Sequence, residues 1–242
     1  MNGNNKLRFL RFTGIILLIL CGLFFYPINT AIANKPTDVY QQKSIASSDG
    51  IGKVYMGREI SQVMGHKGAM WLERPSRESQ EKPSKIVNAL DLKDTDIVAD
   101  IGAGTGYMSF RIAPKVLDGK VFAVDIQPEM LDIIKFYQKE TNINNVEPIL
   151  ATATNPNLPK ESVDLALMVD AYHEFEYPKE VMQGVVKSLK PGGKAVLVEY
   201  RGENPFIAIK RLHKMTQKQV KKEMKAIGLT WRETQEIHPL QH

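Results

Sequence analysis

The stretch Ile97-Val98-Ala99-Asp100-Ile101-Gly102-Ala103-Gly104-Thr105-Gly106-Tyr107 decides the fold. Apolar and β-branched residues run into an aspartate, and glycines then occupy every second position. The pattern predicts a strand delivered into a tight turn that opens a helix, where missing Cβ atoms let backbone approach a ligand. Lys120-Val121-Phe122-Ala123-Val124-Asp125 reads as a second apolar strand that ends in a carboxylate. An acidic residue roughly 20 positions after such a turn suits the two hydroxyls of a ribose. The two segments together read as a nucleoside-binding α/β domain.

The spacing of the glycines narrows the ligand. The dinucleotide fingerprint G-x-G-x-x-G needs its third glycine at position 107, but that residue is Tyr107 and the third glycine is Gly106. A nicotinamide oxidoreductase is disfavoured on that ground. The G-x-G-x-G pattern resembles the glycine motif of class I S-adenosylmethionine-dependent methyltransferases. A glycine-rich turn of some other α/β protein is the plainer reading, and Asp125 at the next strand end argues against it.

Working outward, strands are expected at 97–101, 121–125, 146–150, 163–169, 195–200 and 230–237. Helix-period segments lie between them at 107–116, 128–140, 178–189 and 217–227. Pro128 suits a first helical turn, Thr216 with Gln219 suits a capping box and Gly228 a C-cap. Pro191-Gly192-Gly193 predicts a sharp turn before a strand. Apolar strands alternating with helices imply a parallel sheet covered on both faces.

Three further segments are similar to methyltransferase elements: Leu189-Lys190-Pro191-Gly192-Gly193 before the fifth strand, Ser162–Leu167 entering the fourth, and Asp125–Leu131 after the second. The resemblance covers about residues 84–238 and implies a doubly wound, Rossmann-like class I methyltransferase sheet with S-adenosylmethionine as cofactor. The family sheet has a seventh, antiparallel strand. Here the expected sixth strand runs into His238-Pro239-Leu240-Gln241-His242, so the sheet is expected to lack the seventh strand or to be truncated at it. The fifth strand then needs other cover for its edge.

The first 33 residues differ from the rest. Lys6, Arg8 and Arg11 precede the apolar run Ile15–Tyr26, and Ala31-Ile32-Ala33 follows. This is the layout of a secretory signal peptide, and an uncleaved membrane anchor using residues 12–33 is the alternative. Either predicts an exported or membrane-anchored domain rather than a cytoplasmic one. The expected organisation is 1–33 signal or anchor, 34–54 linker, 55–92 helical cap and 93–242 cofactor-binding domain. The cap includes a helix at 55–64 with Ile60, Val63 and Met64 on one face.

Hydrophobic content of 43% and charged content of 24% suit an ordinary globular core. The net charge is +5, but the leader holds three positive charges and no acid, so the remainder nets +2. Charge therefore gives no argument for a nucleic-acid partner, and none is expected. Cys21 is the only cysteine, which rules out a disulfide within the chain and a cysteine metal site. Residues 210–225 carry seven Lys or Arg and one acid beside a stripe of Val220, Met224 and Ile227. This is read as a solvated helix face, with a membrane surface or acidic substrate as the alternative.

The resemblance assigns Asp100, Gly102, Gly104, Gly106 and Tyr107 to the methionine end of the cofactor and Asp125 to the ribose. It puts the adenine near Ile126 and the segment 151–154, including Thr152. Asp170-Ala171-Tyr172-His173-Glu174-Phe175 should face the glycine loop where strand order reverses. Asp170 is assigned to the cofactor. His173 is the candidate base, with Glu174 and Tyr172 orienting a substrate; capping or mutual bonding of His173 and Glu174 is the alternative. Trp71, Arg74, Tyr200 and Arg201 are candidate substrate contacts, although packing for Trp71 and a surface pair with Glu203 for Arg201 are equally simple. His213 is expected on a loop. No metal is expected.

The leading expectation is methyl transfer from S-adenosylmethionine to a small-molecule acceptor by in-line displacement, with optional base assistance from His173. The alternative is a non-catalytic exported small-molecule-binding protein on the same scaffold.

Overall fold

The computed structural model describes residues 39–242. The signal, anchor and membrane-association expectations for residues 1–33 lie outside the described residues. Among the described residues no helix is long and apolar enough to cross a membrane. The described chain opens on a small antiparallel sheet of β1 (Tyr40–Gln42), β2 (Gly50–Tyr55) and β3 (Arg58–Ser61). This corrects two expectations, the linker in its described part, 39–54, and a helix over 55–64. Met56 and Gly57 both have positive φ, 48° and 99°, as a two-residue type I′ hairpin turn requires. Ile60 is fully buried, whereas Val63, which a helix would have placed on the same face, is exposed. Glu59 hides the strand pattern: its buried carboxylate accepts from Ser47 N–H (2.8 Å), Ser47 Oγ (2.6 Å) and Lys43 Nζ. Those bonds, with Lys43 foremost, hold its pKa down at about 2.

Helices follow at α1 (Ala69–Leu72), α2 (Arg77–Glu81) and α3 (Pro83–Ala89), so the helical part of the cap starts at residue 66 rather than 55. The central sheet then forms from β4 (Ile97–Ile101), β5 (Lys120–Asp125), β6 (Val146–Leu150), β7 (Val163–Val169) and β8 (Leu189–Val198). The order is β6-β5-β4-β7-β8 and every pair is parallel. Alternate residues feed opposite layers. Val98, Val121, Leu165 and Leu167 pack with Ile112, Leu131 and Ile134 on one face. Ala99, Phe122, Ala166 and Met168 pack with Met182, Val185 and Met224 on the other. Burial on both faces is why these strands read as apolar runs rather than strict alternation. The helices between them are α4 (Ser109–Ile112), α5 (Pro128–Thr141) and α6 (Pro178–Ser188). The helix expected over 107–116 is cut to one α-turn and a 3₁₀ turn through Pro114, which has no N–H to give. The Pro191–Gly193 segment lies inside β8, where its pairing with β7 shifts register.

One backbone approach is close enough to predict a mutational effect. A Cβ on Gly119, just before β5, would sit 2.0 Å from the Asp96 carbonyl oxygen, and its other near neighbours are also backbone. Gly119→Ala is expected to cost about 1–3 kcal/mol, the usual range for forcing extra volume into a packed site. A lowered urea midpoint at unchanged slope would show it; an unchanged midpoint would mean that the two segments separate freely.

The last part of the chain departs from expectation. Helix α7 (Gln217–Ala226) forms as read, with Thr216 Oγ accepting the Gln219 N–H and a Schellman closure at Gly228, φ 90°. Its stripe of Val220, Met224 and Ile227 packs into the second core layer. Residues 230–237 form no strand. Trp231 and Ile237 are their only large apolar residues and most of the segment is exposed, whereas a strand inside a parallel sheet must bury both faces. The chain end instead pairs with the segment after β8: Glu199 and His242 exchange both main-chain bonds at 3.1 Å, and Arg201 N–H donates to Leu240 O at 2.9 Å. This antiparallel contact covers the rim end of the β8 edge, where the family's extra strand was expected to be missing.

Candidate active site

Strand order reverses between β4 and β7, so the loops after those strands flank the crevice of the sheet. The glycine loop is folded back over β5: Gly102 and Ala103 N–H both donate to Val124 O, at 2.8 and 3.0 Å. Gly102, Gly104 and Gly106 all have positive φ. A Cβ on Gly102 would lie 2.6 Å from Ala171 Cβ, so the glycine lets the two crevice loops meet.

Asp125 fastens this loop. Its Oδ2 accepts from Gly104 N–H and its Oδ1 from Gln127 N–H, at 2.8 and 2.9 Å. Burial raises its pKa against those main-chain bonds. A carboxylate offers about four acceptor sites, so two remain for ribose hydroxyls. Asp100 is buried and accepts from Ser109 Oγ at 2.6 Å; burial pushes its carboxyl up to about 6. Asp100 is thus held in place by Ser109 while it lines the cavity.

A cavity of about 610 Å³ connects these groups. It is lined by Asp100, Gly102, Gly104, Tyr107, Asp125, Ile126, Thr152 and Asp170 of the expected cofactor set, and by Trp71, Arg74, Tyr200, His173 and Glu174. The lining includes none of Gly106, Tyr172 and Arg201; Gly106 instead faces the core, where a Cβ would meet Phe110 and Ile134 at 2.9 and 3.0 Å. Tyr172 points into the core and donates to Glu223 Oε2 at 2.6 Å, which removes it from the substrate-orienting role. Arg201 pairs with Glu236 and donates to His238 O, so neither an anionic substrate nor Glu203 is its partner. Tyr107 lies between two guanidiniums, Arg111 at 3.5 Å and Arg77 at 4.2 Å from the ring centre. Trp71 is half exposed at the cavity with the Arg74 guanidinium over its ring.

Three residues that sequence reasoning did not assign organise the far end. Buried Glu81 gathers Arg74, Arg77 and the Tyr200 hydroxyl, the last at 2.7 Å. Buried Glu199 accepts from His173 Nδ1 at 2.6 Å. His213, in a 3₁₀ turn at Arg211–His213, places its Nδ1 3.2 Å from His173 Nε2. Burial opposes a charge on His173, but Glu199, ahead of Glu174 and Asp170, raises its pKa overall. Asp170 is pushed up to about 8 by burial and by Glu199 and Glu81, and its Oδ1 is buried without a partner. Glu199 had a signal in the sequence: like Asp100 and Asp125, it is an acid at the C-terminal end of an apolar strand.

Residues 98–193 match the family model described as a methyltransferase domain. That stretch, from β4 into β8, is thus similar to a methyltransferase domain. An uncharacterized methyltransferase of Mycobacterium tuberculosis is 38% identical over 101 residues, covering 42% of this chain and 38% of that protein. The uncharacterized methyltransferase YcgJ of Bacillus subtilis is 30% identical over 111 residues, covering 46% of this chain and 43% of its own length. The chain thus spans less than half the length of these curated relatives. Among solved structures, a SAM-dependent methyltransferase from Aquifex aeolicus aligns with TM-score 0.65 and 23% identity over 69% of this chain and 89% of its own. The Aquifex aeolicus protein is described as dependent on SAM, S-adenosylmethionine. The residues present fit that molecule: Gly102 and Gly104 bring bare backbone to the cavity, Asp125 beside them has spare acceptor capacity, and Asp170 carries a buried oxygen without a partner.

Proposed function

We propose that this protein transfers the methyl group of S-adenosylmethionine to a small acceptor bound between the glycine loop and the His173–Glu174–His213 cluster. The observation that carries this reading is one continuous cavity, lined at one end by Gly102, Gly104 and Asp125 and at the other by Glu174 and His213. Its volume lies in the range of small-molecule sites, about 300–1,000 Å³. When bound, S-adenosylmethionine supplies a methyl group already activated by a sulfonium charge. The chain's own contribution is mainly proximity and alignment. Asp125 and the glycine loop hold the donor, and Trp71 with Arg74 partly closes the cavity.

Base assistance shifts away from His173 alone. Both of its nitrogens are engaged, by Glu199 and by His213, and its side chain is only 2% exposed. Glu174 and His213 are the partly exposed members that an acceptor reaches, and they orient it and take up its proton. His173 and Glu199 fix the position of His213 from behind.

Equilibrium dialysis of the full chain against methyl-labelled S-adenosylmethionine tests the reading. Saturable binding displaced by S-adenosylhomocysteine and not by NADH is expected. A folded chain with no saturable binding would sink the proposal.

A further inference from the structure

Two histidines and a glutamate converge at the acceptor end from two places in the sequence. His173 and Glu174 come from the turn after β7, and His213 from the turn before α7. His173 Nε2 and His213 Nδ1 are 3.2 Å apart, His213 Nδ1 and Glu174 Oε1 3.4 Å, and His173 Nε2 and Glu174 Oε1 3.8 Å. Ligands about 2.1 Å from a tetrahedral ion lie about 3.4 Å from one another, whereas neighbouring ligands of an octahedral ion lie about 3.0 Å apart. The observed edges match the tetrahedral case. One point is about 2.0 Å from all three atoms, within the zinc–nitrogen and zinc–oxygen range.

The surroundings independently fit a metal. Glu199, buried, accepts the Nδ1 proton of His173, which puts a lone pair on Nε2, the atom now in contact with His213 and the one that an ion would take; carboxylate–histidine–metal arrangements use this contact to fix the tautomer. Glu174 is anchored through its other oxygen, which accepts the Met64 N–H at 3.1 Å. Arg58, which reaches the His173 carbonyl, is committed to Glu223. All three candidate ligands line the cavity, so a fourth position would open toward the acceptor. The spacing rule for helical metal pairs missed this cluster because 40 residues separate the two histidines.

We propose that His173, Glu174 and His213 bind one divalent transition-metal ion of zinc type, and that the ion holds the thiol or hydroxyl of the methyl acceptor. Metal binding stands by itself; the acceptor role rests on the methyl-transfer reading above.

The full chain, stripped with EDTA and dialysed, would be titrated with Co²⁺ and Zn²⁺. One Co²⁺ per chain with the intense visible absorption of a tetrahedral ion, displaced by Zn²⁺, is expected. His213→Ala and Glu174→Gln should each remove that absorption while far-UV circular dichroism reports an intact fold. Glu199→Gln should weaken binding about 10–100-fold, the effect of losing an outer-shell partner. Absence of Co²⁺ and Zn²⁺ binding, or undiminished binding in both ligand variants, overturns the site. A small thiol or a phenol added to the Co²⁺ form should shift its absorption; no shift from either overturns the acceptor role. Titration of the EDTA-treated wild type with S-adenosylmethionine separates the two readings. Donor binding without metal binding removes only the metal site, and metal binding without donor binding removes only the methyl-transfer reading.

Discussion

Asp125→Ala is expected to weaken S-adenosylmethionine binding by at least about 100-fold and to lower stability at the same time. The affinity loss follows from removing a charged acceptor from two ribose hydroxyls: hydrogen bonds to charged groups are worth about 1.5–3 kcal/mol each, and about 2.7 kcal/mol is a factor of 100. The stability loss follows from the present contacts. Gly104 N–H and Gln127 N–H both donate to this carboxylate, and truncation leaves the buried Gly104 donor unsatisfied, at about 1–3 kcal/mol. Calorimetric titration and urea unfolding, run on the same variant, separate the contributions. Asp125→Asn keeps one acceptor oxygen and replaces the other with a donor facing a donor, so it should recover part of the stability and little of the affinity. Full affinity in Asp125→Ala would mean that the ribose lies elsewhere and that Asp125 only fastens the loop.

The double duty of Asp125 shows how far the sequence could be read. Strand 97–101, the glycine loop and Asp125 were legible because each has a local cause: β-branched runs make strands, positive φ selects glycine, and an acid ends a strand at the ligand rim. The N-terminal sheet was not legible. Its hairpin turns on Met56-Gly57 rather than on Asn-Gly or Asp-Gly, and Glu59 occupies a buried position where an apolar residue would have revealed the strand. Residues 230–237 read in the opposite sense, as a strand, although the residues themselves cannot bury two faces. The His173–Glu199 and His173–His213 contacts join segments 26 and 40 residues apart, and no local pattern encodes such pairings. Tyr172 illustrates the same limit at one residue's distance. It neighbours His173 in sequence, yet in the short turn its side chain takes the opposite direction, into the core.

That core partner, Glu223, supports the second prediction. Glu223 is fully buried on α7, and it accepts from Arg58 Nε at 2.8 Å and Nη2 at 3.2 Å, from the Tyr172 hydroxyl at 2.6 Å and from Gln219 Nε2 at 2.7 Å. One carboxylate thus ties β3, the turn after β7 and α7 together. Arg58 also donates to the His173 carbonyl, so the knot holds the backbone that presents the active-site histidine. Glu223→Ala would leave the Arg58 guanidinium and the Tyr172 hydroxyl largely buried without their acceptor. Removing one partner of a buried ion pair costs about 3–5 kcal/mol, more than the pair's own net contribution, because the remaining charge keeps its desolvation cost. A fall of that size in urea-unfolding free energy is expected. Glu223→Gln should cost less, since it keeps an oxygen for Tyr172 or Arg58 while losing the charge. If Glu223→Ala changed stability by less than about 1 kcal/mol, Arg58 would have to swing into water, and the cluster would not be what joins the small sheet to the domain. With the expected loss, the N-terminal sheet is a structural part of the active site: it reaches His173 through Arg58 and through Ser61 Oγ, which donates to the same carbonyl at 3.3 Å.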